Sequence, residues 1–241
     1  MPLEGHLDEL RSRLIVSIAV FGVALGLCFW QNHLLLELAS RPLPDNHGQL
    51  ITFGVTEPFA MTMKVAAYGA VILSLPALLY QLYAFFMPAL SRQQRRSVAP
   101  LVILTPILFV AGVLFGYFVV APAALQFLLN FNDSQFNVQV RASEYYGFFA
   151  STLIACGVVF EVPVAILGAV RVGITSVENL RRKRRYAYLV CAVAAAALPG
   201  VDPVSMLLET APLIVLYELS IVLARVCGVP RESVETRLAG P

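Results

Sequence analysis

The residue most at odds with its surroundings in this chain is Glu161. From Phe148 to Val170 the sequence is almost wholly apolar, and at its centre stands Val159-Phe160-Glu161-Val162-Pro163. A carboxyl group in hydrocarbon costs several kcal/mol unless it faces protein or a wet cavity. Pro163 removes a backbone donor just after it and frees a carbonyl one turn back, which also needs a partner. One face of this span must therefore turn away from lipid. An acid so placed can carry a proton or receive a polar partner; it can equally be a group that only packs a helix bundle. Ser151 stands on the same span. There is, however, no G-x-S-x-G, H-E-x-x-H or pair of intramembrane aspartates to support a protease, and no Walker loop to supply energy. Cys28, Cys156, Cys191 and Cys227 lie in or beside apolar runs without a C-x-x-C pair, so no metal, disulfide or cofactor is expected.

The elements that must position Glu161 are those of a polytopic membrane protein. Of the 241 residues, 59% are hydrophobic and only 13% charged, against about 25% charged in soluble domains. Leu3, Leu7, Leu10 and Leu14 recur at helical spacing, predicting a short amphipathic surface helix over residues 1–13. A first span from Leu14 to Trp30 follows. Ala24-Leu25-Gly26 loosely fits a signal-peptide cleavage site, but acidic residues crowd what should be a basic leader. A polar loop is expected over 31–57, then a second span from Thr56-Glu57-Pro58 to Phe86, kinked at Pro76. Ser91 to Arg96 forms a basic loop. The third span runs from Val98 to Val120, a second polar loop over 123–142, and the fourth span from Ser143 to Val170, with Tyr145 and Tyr146 at the interface. Thr175-Ser176-Val177-Glu178 has capping-box spacing. Span five, Tyr186 to Leu198, is short for a bilayer, and span six, Val204 to Leu223, is interrupted by Glu209, Pro212 and Glu218. Both glutamates are expected near opposite interfaces.

Basic residues set the orientation. Arg11 and Arg13, the loops from Arg92 to Arg96 and from Arg171 to Arg185, and the tail from Arg225 carry nearly all of them. The alternate segments hold Arg41, Lys64 and Arg141. Both termini are therefore expected in the cytoplasm. The fold expected is all-α: one integral membrane domain over 1–241, with six spans between 14 and 223 and a cytoplasmic tail over 224–241.

Several motifs then converge in order: His6-Leu7-Asp8-Glu9-Leu10-Arg11-Ser12-Arg13-Leu14, Leu79-Tyr80-Gln81-Leu82-Tyr83-Ala84-Phe85-Phe86-Met87-Pro88-Ala89-Leu90, Gly116-Tyr117-Phe118-Val119-Val120, Phe160-Glu161-Val162-Pro163-Val164-Ala165, Gly173-Ile174-Thr175-Ser176, Asp202-Pro203 and Leu216-Tyr217-Glu218. Together they resemble TatC, the polytopic core subunit of the twin-arginine protein translocase, over nearly the whole chain. The resemblance implies a curved, glove-like bundle in the cell membrane with the span-four glutamate, Glu161, on its concave side. It also implies a receptor, not an enzyme, that binds twin-arginine signal peptides at the cytoplasmic face. With single-span TatA and TatB partners, such a receptor exports folded proteins on the proton-motive force. By position, Glu9, Leu10 and Arg11 would form the signal-recognition site with Phe85, Gln94 and Arg95. Pro42, Asp202, Gln81 and Tyr117 would be structural or partner-contact residues. Where the family commonly has a glutamate before a basic pair, this chain has Gln94, a neutral acceptor, so a weaker second arginine contact is expected. No nucleic-acid partner is implied, and a homo-oligomer stays open. The competing class is a small proton-coupled secondary transporter with Glu161 as proton carrier and the broken sixth helix lining a substrate site.

Overall fold

A computed structural model describes residues 3–43, 50–89, 91–131, 139–197 and 203–226. The first helix, α1 (Leu3–Trp30), is continuous for 28 residues; the expected surface helix and first span are one rod. No proline lies between Leu3 and Trp30, so nothing stops the helix where the polar residues give way to Leu14. At 1.5 Å per residue it spans about 42 Å, so its polar first turns extend beyond a ~30 Å hydrocarbon core. The expected first loop holds a further helix, α2 (Asn32–Ser40), rich in leucine.

Helix α3 (Glu57–Phe86) runs unbroken through Pro76. Thr56 sits at its N-cap without a side-chain bond. Glu57 instead ties the preceding loop to the first turn, its Oε2 accepting from the Phe53 and Gly54 amides at 2.8 and 3.3 Å. A short 3-10 turn, Met87–Ala89, leads to α4 (Arg92–Phe115). The rod then continues through a π-helical turn, Gly116–Val120, into α5 (Ala121–Asn130), so the loop expected from residue 123 begins only after Asn130. Pro122 explains the π turn. It lacks the N–H an α-helix needs and its ring crowds the preceding turn; the widened turn, in which the Ala121 N–H donates to Gly116 O, lets the chain pass.

The expected fourth span is two helices, α6 (Ala142–Val159) and α7 (Val162–Val172), broken at Phe160-Glu161. Pro163 cannot close the i→i−4 bond to Val159, and the Glu161 N–H donates instead to Val158 O, three residues back. Gly173, at φ 89°, ends α7 in the left-handed region that favours glycine. Then come α8 (Val177–Arg182), α9 (Arg184–Ala197) and α10 (Pro203–Val226). Ser176 caps α8, accepting from the Asn179 N–H at 3.2 Å, so the cap lies one residue beyond the expected Thr175.

Four stretches, Asp8–Trp30, Glu57–Phe86, Gln94–Asn130 and Ala142–Val172, are long and apolar enough to cross a membrane. The fifth and sixth expected spans are α9, with 14 residues, and α10. Helix α1 packs along α3; α3 meets α4 and α6; α4 runs along α6 and α7; and α10 closes against α7 and α9. Small residues let α4 and α6 approach closely. A methyl group on Gly112 would lie 2.6 Å from the Cys156 carbonyl oxygen, and one on Gly157 2.6 Å from the Phe109 ring. Cys28, Cys156 and Cys191 are buried free thiols; Cys227 lies outside the described residues.

Candidate functional site

At the end of the bundle holding the start of α1, Glu9 and Arg13 stand one turn apart. The Arg13 Nε and Nη2 donate to Glu9 Oε1 at 3.1 and 2.7 Å, and Nη1 donates to Gln81 Oε1 on α3 at 3.0 Å. Through Arg13, Gln81 ties the Glu9 carboxylate to α3. Only one Glu9 oxygen is used among the described residues, and the side chain keeps 23% of its surface exposed. Leu10 and Arg11 beside it are exposed. Arg13 also lines a cleft of about 330 Å³ between α1, the end of α3 and α4, as does Arg95. Phe85 is half-buried in the last turn of α3, edge-on to Phe86 at 5.5 Å.

Gln94 has a different set of contacts. It occupies the third position of α4, where Ser91 Oγ accepts from its N–H at 3.3 Å and its Oε1 accepts from the Ser91 N–H at 3.1 Å. This reciprocal pair is a capping box. Its Nε2 donates to Val172 O at 2.9 Å, satisfying one of the last carbonyls of α7. Gln94 therefore fastens the first basic loop to the second, and an incoming arginine could use only the remaining lone pair of its amide oxygen.

Glu161 lies at the α6–α7 break, 8% exposed, turned into the protein. Neither of its oxygens has a hydrogen-bond partner among the described residues. The Thr105 and Tyr83 hydroxyls belong to the same buried polar patch, with Thr105 donating to Leu101 O at 3.1 Å. Glu161 is not part of the wall of the cleft beside Arg95. Glu209, expected near an interface, is instead 4% exposed inside the bundle, near Cys156. Its helix, α10, packs against α7 and α9. Glu218 is held by Arg184 at 2.7 Å and by the Tyr188 hydroxyl at 2.6 Å, so one arginine of the basic run serves a tertiary contact.

Pro42 and Tyr117 stand at the opposite end of the bundle. Lacking an N–H, Pro42 leaves the Leu38 carbonyl at the end of α2 without a helical donor. The Tyr117 hydroxyl donates to it at 2.9 Å, and the Tyr145 hydroxyl donates to Ala39 O at 2.7 Å. Tyr146 bonds Ser40 Oγ at 3.0 Å. Tyr145 and Tyr146 are buried, not interfacial, because α2 covers them. Nearby, Arg141 pairs with Glu57 at 2.9 Å and lies over the Phe53 ring, while the Ile51 N–H donates to Val140 O and its carbonyl accepts from Ala142. Asp202 lies outside the described residues.

The profile of the family described as Sec-independent protein translocase protein (TatC) matches residues 5–212. The chain belongs to the TatC family. Among TatC relatives, one from Desulforapulum autotrophicum is 36% identical over 99% of this chain and 89% of its own. One from Aquifex aeolicus is 32% identical over 98% and 99%. A crystal structure of the twin-arginine translocase receptor TatC in DDM superposes with a TM-score of 0.80 at 33% identity, covering 91% of this chain and 99% of that one. Membership makes the protein a multi-pass membrane component of a protein translocase, not an enzyme, and does not favour the small-transporter reading. Sequence spacing puts Arg13 one turn from Glu9, but does not disclose its bridging role, because its second partner, Gln81, lies 68 residues away.

Proposed function

We propose that the Glu9 end of the bundle is the cytoplasmic surface on which this receptor holds twin-arginine signal peptides. The observation that carries the reading is Glu9 itself: a carboxylate tethered to α3 through Arg13 and Gln81, yet with one oxygen and part of its surface still open. A guanidinium gains most from such a charged, oriented acceptor. Leu10 and Phe85 flank it with apolar surface, Arg11 and Arg95 repel a misplaced arginine pair, and Gln94 offers a neutral acceptor beside them. The hydrophobic part of the leader then moves along the bundle towards Glu161, whose unpartnered oxygens would receive a polar group. Single-span TatA- and TatB-type subunits dock along the 14-residue α9 and the 24-residue α10, which runs unbroken through Pro212. The orientation with both termini cytoplasmic is supported by the crowding of Lys and Arg into the terminal segments and the loops after the second and fourth spans, against Arg41, Lys64 and Arg141 in the alternate ones.

The test is a binding measurement on the purified protein in nanodiscs. A peptide with a consecutive arginine pair should be held and should be lost when the pair becomes two lysines. Equal binding of both peptides would remove the receptor reading of Glu9. Proton-coupled uptake of a small solute without peptide binding would favour the transporter class.

A further inference from the structure

The cleft between α1, α3 and α4 has the wrong sign for an arginine pair. Its wall carries two guanidiniums, Arg13 and Arg95, and no carboxylate. The N–H of Arg95 donates to Ser91 O at 2.9 Å, and its exposed guanidinium makes no hydrogen bond or ion pair among the described residues. Arg13 spends three of its N–H groups on Glu9 and Gln81, leaving two of five. Beyond the charges, the wall continues as Ala84, Met87 and Val102, with Tyr80 at its edge.

The cleft also lies at a definite level. Arg13 immediately precedes Leu14, where the apolar run of α1 begins, and Val102 lies about two turns into α4 from Arg95. One end therefore meets the charged layer and the other the hydrocarbon. Leu10, Leu14 and Phe86, each about half exposed, bring apolar surface to the same end of the bundle.

We propose that this cleft binds one anionic phospholipid of the leaflet at that end of the bundle. Its phosphate bridges Arg95 and Arg13, and the first carbons of an acyl chain lie against Ala84, Met87 and Val102. Guanidinium forks match phosphate oxygens, and basic pockets between spans at the inner interface suit anionic headgroups. This site does not depend on the receptor reading, because its test contains no signal peptide.

The experiment is native mass spectrometry of the full chain titrated with phosphatidylglycerol or phosphatidylcholine in neutral detergent. One phosphatidylglycerol should be retained in preference to phosphatidylcholine. Arg95→Gln, a change at an exposed side chain, should weaken that retention about five- to tenfold. Ala84→Trp, which fills the cleft without altering charge, should abolish it in protein whose elution and melting temperature are unchanged. Equal retention of the two lipids would overturn the proposal. So would phosphatidylglycerol retention unaffected by Arg95→Gln, or complete displacement by inorganic phosphate, which would mark a site for the free anion.

Discussion

Replacing Glu9 with Gln separates recognition from structure. The carboxylate holds Arg13 through a partly exposed i,i+4 pair, worth about 0.3–0.5 kcal/mol to the fold. Glutamine keeps the shape and one carbonyl acceptor, so the melting temperature should barely move. For an incoming arginine the loss is larger. A hydrogen bond to a charged group contributes about 1.5–3 kcal/mol, and the partial exposure of Glu9 favours the lower figure. Affinity for an arginine-pair peptide should therefore fall about tenfold, with little further loss when the peptide carries two lysines. Arg13→Gln provides the contrast. It removes both an internal competitor for Glu9 and its tether to α3, at a stability cost of about 1 kcal/mol, and the two effects oppose each other, so peptide affinity should fall much less than in Glu9→Gln. Fluorescence anisotropy of a labelled peptide against the protein in nanodiscs reads both variants. If Arg13→Gln lowered affinity as far as Glu9→Gln, Glu9 would be acting only as half of a structural pair, and the reasoning would fail.

Gln94→Glu should tighten the same peptide by several-fold while lowering stability by about 1 kcal/mol, because the capping box survives but the bond to the Val172 carbonyl is lost; anisotropy and thermal unfolding report the two effects separately. Tyr145→Phe leaves the buried Ala39 carbonyl without its donor and should cost about 1–2 kcal/mol in unfolding experiments in bicelles. Tyr146→Phe should cost only a few tenths, since Ser40 keeps its bond to Leu36 O; faster hydrogen exchange in α2 of the Tyr145 variant alone would locate the effect. Gly157→Ala should destabilise by about 1–3 kcal/mol through the Phe109 clash, whereas Gly147→Ala, with open space around it, should be neutral or slightly stabilising in the same assay.

Local chemistry made much of this structure readable in advance. The acid at 161 and the proline at 163 announced a disturbed span, and the break falls there because both effects act within one turn. The spans were legible from unbroken apolar runs. Their ends were less so: α1 starts well before its apolar residues, and the rod from α4 carries past Pro122 on a π turn that composition does not encode. Ser91 and Gln94 have capping-box spacing, so that role could have been read from the sequence. The bond from Gln94 to Val172 could not, since it joins segments 78 residues apart. The tyrosine contacts on α2 were hidden for the same reason: an aromatic beside an apolar run looks interfacial until the helix covering it is known.

The most direct test places a photoreactive residue beside the arginine pair of a signal peptide and maps its crosslinks on this chain in the membrane. The account predicts adducts at residues 8–13 and in the loop leading into α4, reduced in the Glu9→Gln variant. Adducts confined to α2 or to the loop before α6, or crosslinking indifferent to residue 9, would contradict it.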